Sequence, residues 1–290
     1  MSIKTIMVPV TSTEAATPAL DTAFDVANLF GAQIIGLHVR PHPNLAMPHM
    51  MPPMPMDYVR ESADAIVKAG RERAAELRNF FHDACAKRQV PVFPENELAG
   101  RSETGAAWRE KEGFVPDDIG VEARTADLIV VAQAGEDAWQ SDRDMVEAVL
   151  LDSGHPVLIV PKNGSGALTR NAVIAWNGSA EASQAVSAAL PFLERADKVT
   201  VLTVGNGAQG APDAEDTASF LARHGIEADT DFAPADDQTV GETLLDVARE
   251  RGAGLIVMGA YSHSRLREMV FGGVTRDMLN HADRPVLMTH

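Results

Sequence analysis

The sequence predicts an α/β protein made of two tandem copies of one unit, each a five-stranded parallel sheet with helices on both faces. Three observations predict it. Short continuous apolar runs alternate with amphipathic segments of helical period, the pattern of strands buried on both sides. The pattern repeats, so that features of residues 1–162 find counterparts in residues 169–290. Each copy closes on a strand led by proline, His155-Pro-Val-Leu-Ile-Val160 and Arg284-Pro-Val-Leu-Met288.

In order along the chain, Thr5-Ile-Met-Val-Pro-Val10 opens the first copy and Asn171-Ala-Val-Ile-Ala-Trp176 the second. Each passes through small polar residues into a helix. Its buried face is spaced as Leu20, Ala23, Phe24, Ala27 and Phe30 in one copy, and as Ala182, Val186, Ala189, Leu190 and Leu193 in the other. A second apolar run comes next, Ile34-Ile-Gly-Leu-His-Val39 and Val199-Thr-Val-Leu-Thr-Val204. The first copy then inserts Arg40 to Asp57, rich in proline and methionine, before a long amphipathic helix from about Tyr58 to Lys87. The second copy has a loop around Gly205 to Asp213 and a shorter helix to about His224. Later runs are Leu128-Ile-Val-Val131 and Leu255-Ile-Val-Met258, and Lys162-Asn-Gly-Ser-Gly-Ala-Leu-Thr169 is a Gly/Ser-rich joint. Each copy reads β-α-β-α-β-α-β-α-β.

Composition narrows the function. At 290 residues, 45% apolar and 23% charged, the chain has the make-up of a globular protein. Its net charge of -16 argues against nucleic acid and anionic membrane surfaces as partners, though not against a nucleotide held by backbone N–H groups. The single cysteine, Cys85, excludes an internal disulfide framework and suggests a reducing, cytoplasmic setting. No secretion signal and no apolar run of bilayer-spanning length is visible.

The chemistry is concentrated in Gly259-Ala-Tyr-Ser-His-Ser-Arg-Leu-Arg-Glu-Met-Val-Phe-Gly-Gly-Val-Thr275, which comes after a strand and precedes a helix. Glycines there let the backbone turn tightly, and the N–H groups of a helix start point at an anion. The loop is a phosphate seat or, more plainly, a tight strand-to-helix connection. The matching loop of the first copy, Ala132 to Met145, lacks the paired glycine and carries Glu136, Asp137, Asp142 and Asp144. Carboxylates there repel a polyphosphate.

Trp176-Asn-Gly-Ser179, the segment Met258 to Thr275 and the closing Arg-Pro-Val-Leu strand resemble the universal stress proteins, in their tandem two-domain form. The resemblance implies Rossmann-like domains of the adenine nucleotide alpha hydrolase type, spanning 1–162 and 169–290. Nucleotide-binding members carry Gly, two residues, Gly, nine residues, then Gly and Ser or Thr. Here Gly259, Ser262, Gly272 and Gly273 occupy those positions, with Thr275 nearby as a substitute hydroxyl. Asn177 falls where binding members have an aspartate at the nucleoside end, and Val204 and Met258 fall on the walls of the adenine slot. The implied binding set is Ala175, Asn177, Val204, Met258, Gly259, Ser262, Gly272, Gly273 and Thr275, with no catalytic residue and no metal ligand.

By function, the resemblance implies a cytoplasmic stress-response protein. It binds ATP, as Mg-ATP, in the second domain and offers a nucleotide-dependent surface to a protein partner. No water-activating base stands in the loop, so at most slow hydrolysis is expected. The first copy would be a structural partner in an internal pseudo-dimer, and the last strand could offer an edge for a homodimer. An alternative is a nucleotide-free scaffold using the loop 41–56; an adenylating enzyme fits less well, because no pyrophosphate loop comes after the first strand. In the loop 41–56, Met47, Met50, Met51, Met54 and Met56 with His42 and His49 invite a Cu(I) reading, but no thiolate is near and a proline-stiffened contact loop is the plainer one. His38 and Cys85 read as structural. His263 and Arg265 stay open between phosphate contact and surface, and Arg267 reads as a solvated partner of Glu268.

Overall fold

The structure, a computed structural model, describes residues 2–42, 56–134, 140–162, 167–205, 214–235, 237–261 and 273–290, with the backbone alone for 56–60 and 140–142. In the first half β1 (Thr5–Pro9), β2 (Gln33–Pro41), β3 (Ala106–Gly113), β4 (Leu128–Ala132) and β5 (Val157–Val160) alternate with α1 (Thr13–Phe30), α2 (Met56–Lys87), α3 (Val115–Glu122) and α4 (Gln140–Asp152). In the second half β6 (Asn171–Ala175), β7 (Lys198–Val204), β8 (Ala228–Ala233), β9 (Ala253–Gly259) and β10 (Val286–Thr289) alternate with α5 (Ala180–Leu193), α6 (Ala214–Arg223), α7 (Val240–Glu250) and α8 (Gly273–His281).

All ten strands form one sheet, ordered β3-β2-β1-β4-β5-β10-β9-β6-β7-β8. Pairs within each half are parallel. The seam is antiparallel, with Leu287 opposite Leu158 and Met288 opposite Val157. The order reads the same outward from the seam in both directions, so the halves face head to tail and their strand carboxyl ends emerge at opposite edges of the sheet. β10 is therefore hydrogen-bonded on both sides, to β5 and β9, and offers no edge for a further chain. The expected use of the last strand for pairing between chains is corrected by this: its partner is β5 of the same chain.

The apolar strands divide their side chains between two cores, as a period of two requires. Ile6, Val8, Leu158 and Leu287 point to one face, under α1, α2, α5 and α6. Met7, Ile159, Val286 and Met288 point to the other, under α3, α4, α7 and α8. Each fully buried aliphatic side chain contributes about 1.5–3 kcal/mol, and both cores run through the seam without a break. The seam is tied further by the edge-to-face contact of Phe30 with Phe192, 5.0 Å between centroids, and by Gln133 Nε2, which donates to the Met278 carbonyl at 3.3 Å.

Helix starts are written in the sequence as caps. Ser12 accepts from Ala15 N and Ser179 from Ala182 N, while Thr239 and Glu242 form a reciprocal capping box. Gly31, at φ 63°, closes α1 in the left-handed conformation that glycine takes without strain. Among the described residues no helix is long and apolar enough to cross a membrane.

Candidate functional site

In the second half β6 and β9 are neighbours whose onward connections leave to opposite faces, α5 to one and α8 to the other. Such a switch point leaves a crevice at the carboxyl ends of the strands. Ala175 ends β6, Val204 ends β7 and Gly259 ends β9, so these three stand together at that edge.

Past Ala175 the chain is held by Trp176 N, which donates to Leu202 O at 2.8 Å. It then turns through Gly178 at φ 75°. The Asn177 Oδ1 accepts from Ser179 N at 3.1 Å, and Ser179 in turn caps α5. The Asn177 carbonyl oxygen thus shapes the turn past β6. A groove of about 560 Å³ opens beside this turn, with Trp176, Ser179, Ser183, Asp216 and Phe220 among its walls. Met258 is almost wholly buried in the second core.

Gly259 has a reason of its own. A Cβ there would lie 2.5 Å from the Ala182 nitrogen and 2.6 Å from the Glu181 carbonyl carbon. Only glycine lets the end of β9 pass the first turn of α5. Thr289 fastens the same contact by donating its hydroxyl to Glu181 O at 3.0 Å. Ala260 N then bonds to Thr289 O at 2.8 Å, and Tyr261 takes the left-handed conformation at φ 58°.

Tyr261 N donates to Thr275 Oγ1 at 3.4 Å, and Thr275 is 3% exposed. The Thr275 hydroxyl, accepting this bond, ties the end of β9 to α8. The Tyr261 ring stands edge-on to His290, 5.8 Å away. Burial, reinforced by the charge of Glu147 on α4, pushes its phenol pKa upward. The first half thus reaches the base of this loop, a relation no sequence signal announces. Gly273, at the start of α8, is exposed, and a Cβ there would meet nothing within 4 Å. Ser262 and Gly272, with His263, Arg265 and Arg267, lie outside the described residues.

The universal stress protein family model matches residues 2–161 and 235–290, well over half of the chain. The chain belongs to the universal stress protein family. A curated universal stress protein of a Synechocystis strain is 25% identical over 184 residues, 61% of this chain and 62% of that relative, so the match spans less than two thirds of the relative's length. Among solved structures, a universal stress protein from Archaeoglobus fulgidus aligns over 98% of this chain and 97% of its own with a TM-score of 0.72 at 16% identity. A putative universal stress protein from Pseudomonas aeruginosa aligns over 99% and 93% with a TM-score of 0.53, again at 16% identity. At that identity the likeness shows the fold, two Rossmann-like units in tandem.

The strand register aligns the two halves of this universal stress protein residue by residue. Ala132 pairs with Val160 as Gly259 pairs with Thr289, so alanine stands in the first half where glycine ends β9. Residues 135–139 of the acidic first loop, Glu136 and Asp137 included, lie outside the described residues, as do 43–55 of the methionine-proline loop. Among the described residues no group of three His, Cys, Asp or Glu is arranged to hold a metal ion. Cys85 is fully buried, and desolvation pushes its thiol pKa up to about 12, far from a reactive thiolate.

Proposed function

We propose that the second half of this universal stress protein binds an adenine nucleotide, ATP carried with Mg²⁺, and that occupancy changes the surface offered to a protein partner during a cytoplasmic stress response. The observation that carries this reading is the switch point between β6 and β9. There the glycine-bearing connection leaves at Gly259 and returns at Gly273, at the amino end of α8. Backbone N–H groups of that connection would hold the phosphates. Val204, Ala175 and Met258 would flank the base, and the Asn177 turn would shape the nucleoside end. The ion would ride on the phosphates, since magnesium is commonly held by one or two ligands of the protein together with the nucleotide.

The test is a melting curve of the full chain with and without Mg-ATP, with analysis of any nucleotide released on denaturation. At a hundred times its dissociation constant a ligand stabilises by roughly 2.7 kcal/mol, a visible shift. Absence of both a shift at millimolar Mg-ATP and any released nucleotide would overturn the proposal in favour of the scaffold reading built on the loop 41–56.

A further inference from the structure

The seam between the halves holds a cleft of about 140 Å³, apart from the strand-end crevice of the second half. A void near that size takes a guest as large as benzene, so there is room for a few heavy atoms and none for a nucleoside. Its two sides are α4 of the first half and α8 of the second. Each helix gives residues at positions i, i+3 and i+4, the spacing that puts side chains on one face. The succession is alike on both, Arg143, Val146 and Glu147 from α4 and Arg276, Leu279 and Asn280 from α8.

Two guanidiniums thus converge on one cavity from opposite halves of the chain. Arg143 is half-buried with its Nε wholly buried, while Arg276 is exposed. Like charges on a shared cavity repel, and an anion between them turns that repulsion into attraction. A guanidinium has five N–H donors, so service to another group still leaves donors for a guest, and the Asn280 amide adds two more. Glu147 is the opposing element. Burial, and after it the charge of Asp144, raise its carboxyl pKa, so the cleft favours the protonated form more than water does. The other titratable groups around Glu147 are Arg143 of its own helix, Arg276 of α8 and the Tyr261 phenol, on which its charge acts. Asp277 of α8 is turned away, accepting from the Thr239 hydroxyl. On the far flank α3 meets α4 at Ala148 and Asp152, where Arg124 donates to the Asp152 carbonyl.

The two guanidiniums and the one carboxyl on this wall leave a single net positive charge while Glu147 is ionised. That balance suits one negative charge better than the two of a phosphate. The planar guanidinium matches the two oxygens of a carboxylate, and Val146 and Leu279 match a short hydrocarbon. We propose that this cleft binds a small monocarboxylate with a short apolar body, its carboxylate held between Arg143 of the first half and Arg276 of the second. The chain of the guest lies on Val146 and Leu279. Its charge faces Glu147, and two carboxyl groups at close quarters do not both stay ionised. Binding therefore takes up a proton from solvent at Glu147 and strengthens as pH falls. The site is incomplete without either half, so an occupied cleft clamps the seam.

The experiment is calorimetric titration of the full chain with sodium propionate between pH 6 and pH 8, where propionate stays ionised. Propionamide is the uncharged control, and inorganic phosphate at pH 8 the doubly charged one. Propionate should bind at millimolar concentration, more tightly at pH 6 than at pH 8 and more tightly than phosphate, while propionamide gives no heat. Glu147→Gln should bind propionate with one affinity across that range. Arg143→Met should weaken binding about tenfold or more, as loss of a charge-assisted contact does. If that variant melts well below the wild type, Asn280→Leu narrows the cavity from the other half and should give the same loss. Mg-ATP should leave the propionate affinity unchanged, and a chain that takes propionate but no nucleotide sustains this site while failing the nucleotide reading. The proposal is overturned by silence with propionate at tens of millimolar, by equal binding of propionamide, or by phosphate binding the more tightly. An affinity that does not rise towards pH 6, one indifferent to both cleft variants, or displacement of propionate by Mg-ATP overturns it as well.

Discussion

Gly259 and Ala182 approach backbone to backbone, so closely that a Cβ on the glycine would stand 2.5 Å from the Ala182 nitrogen. The end of β9 is thereby locked to the start of α5, and the connection proposed to hold phosphates leaves from that lock. Gly259→Ala must push the two elements apart. An overpacked contact of this kind costs typically about 1–3 kcal/mol, so the midpoint of urea unfolding should fall by a corresponding amount, and any ATP-dependent stabilisation should fall with it. An alanine variant as stable as the wild type would show that the contact yields freely.

Gly273 gives the opposite expectation at the far end of the same connection. It is exposed, with open space where a side chain would project. Gly273→Ser supplies the hydroxyl that binding members of the family carry at this position. Stability should change by less than about 0.5 kcal/mol, as for an unencumbered surface site, while the calorimetric dissociation constant for Mg-ATP should fall. A weaker affinity in the serine variant would mean that this position does not face phosphate. The pair separates two uses of glycine, since one is required by the fold and the other is free to change.

How much of this was legible in the sequence depended on what each residue buries. The inner strands announce themselves because both faces are covered, and their apolar runs, with the proline-led β5 and β10, led to the tandem sheet. The outer strands do not. β3 reads Ala-Ala-Trp-Arg-Glu-Lys-Glu-Gly and β8 reads Ala-Asp-Thr-Asp-Phe-Ala, edge strands whose charges pair laterally, Glu110 with Arg40 of β2 and Asp229 with Lys198 of β7. Charged edges are how sheets avoid further pairing, and they erase the apolar signal. The antiparallel seam was equally hidden, because Val157–Val160 and Val286–Thr289 carry the same pattern whether they pair with each other or lie apart. At the site, glycine and asparagine were visible as residue types but not as roles. Gly259 answers to Ala182, Asn177 to Ser179 and Thr275 to Tyr261, all contacts made across the fold or within one turn.

His38 makes stability depend on acid. The folded chain keeps the ring neutral through desolvation, so its folded pKa lies below that of the unfolded state, near 6.5. Its contribution is complete above that value and is lost as pH falls towards the lower, folded pKa, because the unfolded chain takes up a proton that the folded one refuses. Urea midpoints measured from pH 8 down to pH 5 should therefore decline, and His38→Gln should flatten the decline below pH 6.5. An unchanged slope in that variant would assign the acid sensitivity to other groups.

Glu147 acts with the opposite sign. Burial, with the nearby charge of Asp144 adding to it, raises its carboxyl pKa above the unfolded value. The protonated form is favoured by the fold, so its stabilising contribution is fully present below the unfolded pKa and is lost as pH rises through the folded one. At neutral pH the carboxylate is a cost borne at the seam, beside Arg143 of its own helix and Arg276 of α8 in a cleft of about 140 Å³. Glu147→Gln keeps the shape and removes the charge. The variant should melt above the wild type at pH 7 and converge with it as the pH falls towards the carboxylate range. Because the Glu147 charge also acts on Tyr261 at the base of the glycine-bearing connection, the phenol of Tyr261 should titrate at a lower pH in the glutamine variant, read by its ultraviolet difference spectrum. A variant less stable than the wild type at pH 7 would show that the carboxylate, rather than its neutral form, is what the seam is built to hold.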